Sequence, residues 1–453
     1  MVDNTQLVAD VSEPEPKANP PSALKKLAAR GAVWSFAGYG TKQVLRFANQ
    51  LILADLLVPK IFGQMALVNV FIVGLEMLSD IGINHSVVQN KRGDDPDFLN
   101  TAWTMQIIRG LLLGILACGL AWPMSQFFNV PILLYAIPIS GFVAVFRGFN
   151  ASKLIIAQRE LNTRMLVAVE LSSYIIGIIV MVVWAYVSPS IWVLVAGALT
   201  TSLTELILTH TILKGHQNKL YFDRKAFDEI YRFGRWIFIS TAFTFLVVQS
   251  DRLIIGRLMG DTFLGLYFVA LTFASMVQQA IMQMGYKVFF PSFSRIIRDN
   301  PSQLYGLLRQ ARIALITLSW LGALMYIFLG YQLIEYLYPS DYHDAGWILR
   351  MLAAGSLVGV LSYTYDHVLI AKGETFTVAF LNAVQLVLQI VGMIIGERMA
   401  GQFGIVAGFA AVGWLIYPFK ALWVAHHKVW QPEVDLPVVF GAITIVSLVF
   451  VFV

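Results

Sequence analysis

Residues 34–57 read WSFAGYGTKQVLRFANQLILADLL, from Trp34 to Leu57. The run is apolar and long enough for a helix to cross a bilayer, yet it carries two cations in its interior. At 100° per residue Ser35, Gly38, Lys42, Arg46 and Asn49 share one face, while Phe36, Val44, Leu45, Leu51 and Ile52 cover much of the rest. With a rise of about 1.5 Å per residue, Lys42 lies roughly 15 Å from the start of the helix, near the bilayer midplane. A midplane cation costs about 3 kcal/mol or more unless it meets water or an anion, and Lys42 and Arg46, one turn apart, repel each other. The stripe is therefore expected to line a cavity that receives an anion. The alternatives are snorkelling to the interface and pairing with an acid on a neighbouring helix.

Outward from this helix, 58% of the 453 residues are hydrophobic and 13% charged, with a mean hydropathy of +0.70. These values define a polytopic membrane protein. Spans are expected near 32–55, 61–82, 98–122, 131–151, 164–187, 190–213, 236–258, 263–289, 308–331, 344–371, 376–396 and 402–425, with a last apolar run from about 437. Residues 1–21 are polar and Pro-rich and are expected to form a disordered cytoplasmic tail. Cations gather in alternate connections, among them Arg147, Lys153, Arg159, Lys214, Lys219, Arg224 and Lys225, whereas the opposite set offers Lys60, Arg257 and Arg398. By the positive-inside rule the N-terminus is cytoplasmic, so the net charge of +5 reports orientation rather than nucleic-acid binding.

The chain also repeats. Trp34 and Trp236 are 202 positions apart, and so are Gly63 and Gly265 (236 − 34 and 265 − 63). At that offset LILADLLVPKIFGQMAL overlies LIIGRLMGDTFLGLYFV. Six spans per half is an even number, so the halves insert in the same sense about an axis along the membrane normal. The expected units are lobes at 22–213 and 236–427, a basic linker at 214–235 and a C-terminal apolar segment at 428–453.

The single Cys118 excludes an intrachain disulfide, no Cys/His spacing suits a metal, and no GxxxxGK[ST] is present. No cofactor is expected. The connections are too short to hold a catalytic domain, which argues against a membrane-embedded glycosyltransferase or polymerase.

In order along the chain, LADLLVPKIFGQMAL, LSDIGINHSVVQ, SDRLIIGRLMGDTFLGLYFVA, FFPSFSRIIRDN and LIEYLYPSDYHDAGWILRMLA resemble the signatures of polysaccharide-transporter (Wzx-type) flippases. These belong to the multidrug/oligosaccharidyl-lipid/polysaccharide exporter superfamily. The resemblance implies two six-helix lobes forming a V around a central cavity. It further implies alternating-access movement of undecaprenyl-diphosphate-linked oligosaccharide across the bacterial inner membrane. A polysaccharide polymerase and a chain-length regulator are the partners this reading suggests.

A diphosphate needs cations, and a sugar needs hydrogen-bonding side chains and aromatic faces. Lys42, Arg46 and Arg109 are the expected diphosphate clamp of the first lobe, with Arg252 and Arg350 opposing them from the second. Trp103, Gln106, Gln278, Gln279 and Gln283 are the candidates for meeting sugar, or else for bonding between helices. Glu76 and Asp366 are the candidates for coupling to H⁺ or Na⁺, or else for neutralising a neighbouring cation. A multidrug/cation antiporter of the same superfamily is the rival reading. That chemistry wants an acidic pocket, whereas the first lobe is rich in cations.

Overall fold

Proline punctuates the apolar runs, and the helices follow. The computed structural model describes residues 21–78, 82–90, 92–160, 162–284, 304–371, 374–427 and 429–451. The tail up to residue 20 and the FFPSFSRIIRDN motif lie outside the described residues.

The first lobe contains α1 (Pro21–Leu56), α2 (Pro59–Leu78), the short α3 (Ile83–Gln89), α4 (Pro96–Phe128), α5 (Leu133–Gly148), the short α6 (Lys153–Arg159), α7 (Thr163–Val187) and α8 (Ile191–Thr211). The second contains α9 (Arg224–Leu258), α10 (Gly260–Met284), α11 (Leu304–Leu337), α12 (Ala345–Ala371), α13 (Thr375–His426) and α14 (Pro432–Val451). No strand occurs among the described residues.

Pro59 and Pro96 stand at the first position of their helices, where a missing N–H costs nothing. At 52 residues α13 would be about 78 Å long, more than twice a bilayer core. Gly401, at φ 56°, folds it back on itself. Its two arms approach so closely that a Cβ on Gly396 would lie 2.0 Å from the Gly404 carbonyl oxygen. Small residues permit that approach.

Nine of the helices are long and apolar enough to cross a membrane, and the α5–α6 pair, bent by 62°, makes a tenth. α14 is one of the nine, whereas the long α1 and α9, more charged than these, are not among them; this count among the described residues compares with the twelve crossings and a last apolar run expected from the sequence. α14 packs on α11 and α12. Its Asp435 is fully buried and pairs with Arg312 of α11, also accepting hydrogen bonds from Tyr365 at 2.8 Å and Tyr417 at 2.9 Å.

Within the first lobe α4 packs on α5, α7 on α8, α1 on α7 and α5 on α8; within the second, α12 packs on α13, α11 and α10. The two halves join chiefly where α2 meets α10. A Cβ on Gly63 would fall 1.7 Å from the Asp261 carbonyl oxygen, and one on Gly265 would fall 1.9 Å from that of Pro59. Pro59 and Asp261 are themselves 202 positions apart (261 − 59). The contact is thus self-reciprocal, as across a two-fold axis, and it embodies the sequence repeat.

Further contacts tie the two halves together at this end, away from the basic connections. Tyr342 donates to the Leu57 carbonyl and Gln64 to Asp261 at 2.9 Å, while the Phe62 and Tyr342 rings meet edge to face.

At the basic end, half of the expected linker is helix: α9 already begins at Arg224, with Asp223 as its N-cap. The preceding non-helical stretch is tied to α4. The N–H groups of Lys219, Tyr221 and Asp223 donate to Asn100, Thr104 and Thr101 at 2.9, 3.1 and 2.9 Å. Ala226 and Ile230 then bury against Phe98, Leu99 and Ile155.

Candidate functional site in the first lobe

Two arginines converge on one residue, Glu76, inside the first lobe. A cavity of about 390 Å³ opens among α2, α4, α5, α6 and α8, with Glu76, Gln106, Arg109, Arg147, Asn150 and Glu205 as its principal polar lining. The convergence depends on glycines at the α4–α5 crossing. A Cβ on Gly110 would sit 2.8 Å from the Ala144 carbonyl oxygen, and one on Gly148 would sit 2.8 Å from that of Gln106. Each arginine is the chain neighbour of one of these glycines, so the close crossing carries both into the same space.

Arg147 Nη1 holds both carboxylate oxygens of Glu76, at 2.7 and 2.8 Å. Arg109 Nη2 donates to the Glu76 backbone carbonyl at 2.7 Å. Gln106 presents an amide oxygen that is buried without a hydrogen-bond partner. Glu205 lies within electrostatic reach of Arg147, Glu170, Lys42 and Glu76. Through it the cavity connects to a second ion pair, Lys42 with Glu170, whose side chains are 41% and 54% exposed. The Lys42 ammonium also stands 5.9 Å from the Tyr174 ring. Arg46, the next turn along α1, has a buried Nε with no hydrogen-bond partner. Lys42 and Arg147 are thus paired with Glu170 and Glu76, and Glu205 lies within electrostatic reach of both cations.

The polar stripe of α1 lies against α7. A Cβ on Gly38 would collide with Val167, and Asn49 is buried with its amide 3.7 Å from the Met181 sulfur. For Lys42, the alternative of an acid on a neighbouring helix is the arrangement found. Glu76 likewise neutralises a cation, Arg147. Trp103 donates to the Phe149 carbonyl at 3.4 Å, at the α5–α6 junction.

The second-lobe candidates are not brought to this cavity. Arg252 is held within its own helix by the Val248 carbonyl and Gln249, both at 2.7 Å. Arg350 donates to the Ile327 carbonyl at 2.9 Å and faces a separate groove beside α14. These two therefore do not oppose Lys42, Arg46 and Arg109, because they sit on faces of α9 and α12 turned elsewhere. Asp366 is paired with the buried Lys420, both oxygens at 2.8 Å. Gln278 lines a second-lobe cavity. Gln279 accepts from Tyr39 at 3.5 Å and donates to Ser275 at 3.1 Å. The side chain of Gln283 lies outside the described residues.

In the sequence Arg147 falls among the connection charges, and neither Lys420 nor Arg312 is among the candidate residues. The signal was available for the last two. Each is a cation within an apolar run, which is the feature that singled out Lys42. Arg147 gives no such signal, because it falls in the last turn of its helix.

A two-lobed membrane protein, helical throughout its described secondary structure and with arginines and glutamates lining a cavity in one lobe, has the architecture of a transporter. The same fold occurs in an inward-facing multidrug resistance MATE family transporter (TM-score 0.71, 14% identity, 85% of this chain and 94% of that one). It occurs again in the lipid II flippase MurJ in an inward closed conformation (TM-score 0.68, 13% identity, 94% and 93%).

Residues 52–346 match the family model described as polysaccharide biosynthesis protein, and the chain belongs to that family. Among its relatives is the Escherichia coli lipopolysaccharide biosynthesis protein WzxC, 23% identical over 86% of this chain and 79% of that protein. Another is the Rhizobium meliloti succinoglycan biosynthesis transport protein ExoT, 22% identical over 66% of this chain and 60% of that protein.

Proposed function

We propose that this protein is a flippase that moves undecaprenyl-diphosphate-linked oligosaccharide across the bacterial inner membrane by alternating access. The observation that carries the reading is the convergence of Arg109 and Arg147 on Glu76 within the membrane-spanning part of a polysaccharide biosynthesis family member. Arg109 and Arg147 are the core of the diphosphate site, and Lys42 and Arg46 extend it toward α1. The basic end faces the cytoplasm, with the N-terminus on that side, and the lobes are 22–213 and 236–427.

With α2 and α10 joining the halves at the far end, the first-lobe cavity is reached from the basic end, the loading side for a substrate made in the cytoplasm. An entering diphosphate competes with Glu76 for Arg147 and with Glu170 for Lys42. Charge-assisted hydrogen bonds to phosphate are about as strong as those to carboxylate, so the exchange is close to balanced and reversible, as a carrier requires. The displaced carboxylates, together with Glu205, then become sites for H⁺ or Na⁺, which couples the return step to an ion gradient. Polymerase and chain-length regulator act on the far side, removing the product.

The test is Arg147→Ala and Arg109→Ala in the host, following the lipid-linked repeat unit. Loss of a charged hydrogen-bond donor costs about 1.5–3 kcal/mol, so substrate affinity is expected to fall roughly 10- to 150-fold. The repeat unit then accumulates on the cytoplasmic leaflet at normal protein level. Undiminished polymer export in both variants would refute the assignment.

A further inference from the structure

The second lobe holds a chamber of a different character. It lies among α10, α11, α12 and α13, with a volume of about 140 Å³, and none of its lining residues is charged. Its polar surface consists of hydroxyls and amides, including Gln278, Ser319, Tyr326, Ser362, Tyr363 and Gln385. Small residues border it, Ala323, Ala353, Gly355, Gly359, Ala410 and Gly413 among them, and at Gly359 a Cβ would meet no atom closer than 3.8 Å.

One of the polar groups is unspent. Ser362 is 3% exposed, and its Oγ is buried without a hydrogen-bond partner. Buried hydroxyls in apolar surroundings are normally paired, so this one marks a position where a ligand's donor or acceptor is accommodated. The ion pair close to Tyr363 leaves the chamber without net charge. Asp366, one helical turn beyond Ser362, is taken up on both oxygens by Lys420, which is 1% exposed.

The geometry points to this chamber as a subsite for an uncharged sugar residue of the transported lipid, one that accepts a neutral hexose and rejects a hexuronate. The inference rests on the flippase reading and places in the uncharged chamber a neutral sugar farther along the headgroup, beyond the sugar that is bonded to the diphosphate. Amide and hydroxyl groups exchange hydrogen bonds with sugar hydroxyls, and the faces of Tyr326 and Tyr363 pack on the sugar ring. A carboxylate entering the same space meets no cation and stays unpaired out of water, which is strongly unfavourable.

The experiment uses the full chain in lipid nanodiscs and three probes: undecaprenyl diphosphate, and two derivatives that carry a short oligosaccharide ending in glucose (the glucosyl probe) or in glucuronate (the glucuronosyl probe). Two variants reshape the chamber while sparing the fold. Ser362→Ala removes the unpaired hydroxyl. Gly359→Val fills space, since the nearest atoms to a Cβ there are 3.8 and 4.0 Å away.

The unaltered protein is expected to bind the glucosyl probe about tenfold more tightly than the sugar-free one, as one or two good hydrogen bonds would give. It is expected to show no such gain for the glucuronosyl probe. Both variants lose the glucosyl gain and keep the affinity for undecaprenyl diphosphate, which also reports that they are folded. A glucosyl gain that survives both substitutions, or an equal gain for the glucuronosyl probe, would overturn the subsite alone. Failure of the unaltered protein to bind any of the three would overturn the flippase reading and the subsite with it.

Discussion

Asp435→Ala should release the last helix from the second lobe. Arg312 and Asp435 are 1% and 0% exposed. The guanidinium spends its donors on Asp435, on Thr364 at 3.0 Å, on the Tyr365 hydroxyl at 2.6 Å and on Gln431 at 3.3 Å, and its plane stands 3.8 Å from the Tyr365 ring centroid. Removing the carboxylate leaves that cation buried without a counter-charge, and it deprives the Tyr365 and Tyr417 hydroxyls of their acceptor. Breaking a buried pair from one side costs about 3–5 kcal/mol.

The loss falls on the docking of α14, because Asp435 is the residue of that helix that reaches the network. Amide exchange over 432–451, measured in detergent or nanodiscs, reads the local opening. Its protection is expected to fall roughly 150- to 5,000-fold, the equivalent of that energy. The double variant Arg312→Leu/Asp435→Leu removes both charges, and most of the protection should return, since apolar replacements of a buried pair are often neutral. Unchanged exchange in Asp435→Ala, or a double variant as labile as the single one, would refute the argument that the ion pair fastens the helix.

Two further outcomes are expected. Gly265→Leu puts a Cβ 1.9 Å from the Pro59 carbonyl oxygen, so α2 and α10 must separate. Overpacking of this kind costs about 1–3 kcal/mol or more, and both a lower unfolding midpoint in detergent and loss of export should follow; an unaltered midpoint would contradict the close approach. At the basic end, the N–H of Lys225, aided by the Arg92 guanidinium and the N–H of Ala226, holds the Asp223 carboxyl below its ordinary value. The attachment of the α9 start to the first lobe should therefore be complete above the usual carboxylate range and fade as pH falls through the lowered value. Asp223→Asn should abolish that pH dependence of amide exchange at 224–231.

Hydropathy is a property of short windows, and it determined the fold class, a polytopic helical membrane protein, without reference to any distant contact. Gly63 and Gly265 were legible as equivalent positions. That each presses on the other half's Pro59–Asp261 equivalent was not, because a spacing in sequence carries no information about which helices touch.

The cations were likewise visible, but their partners were not. Lys42 meets Glu170 from 128 positions away, and Arg147 meets Glu76 from 71. Such pairings depend on how each helix is rotated about its axis in the packed bundle. The same rotation turned Arg252 and Arg350 away from the first lobe and brought Arg147 in. The chain's own chemistry made a membrane protein with buried charge unavoidable; only the packing of its helices decided which of those charges share a cavity.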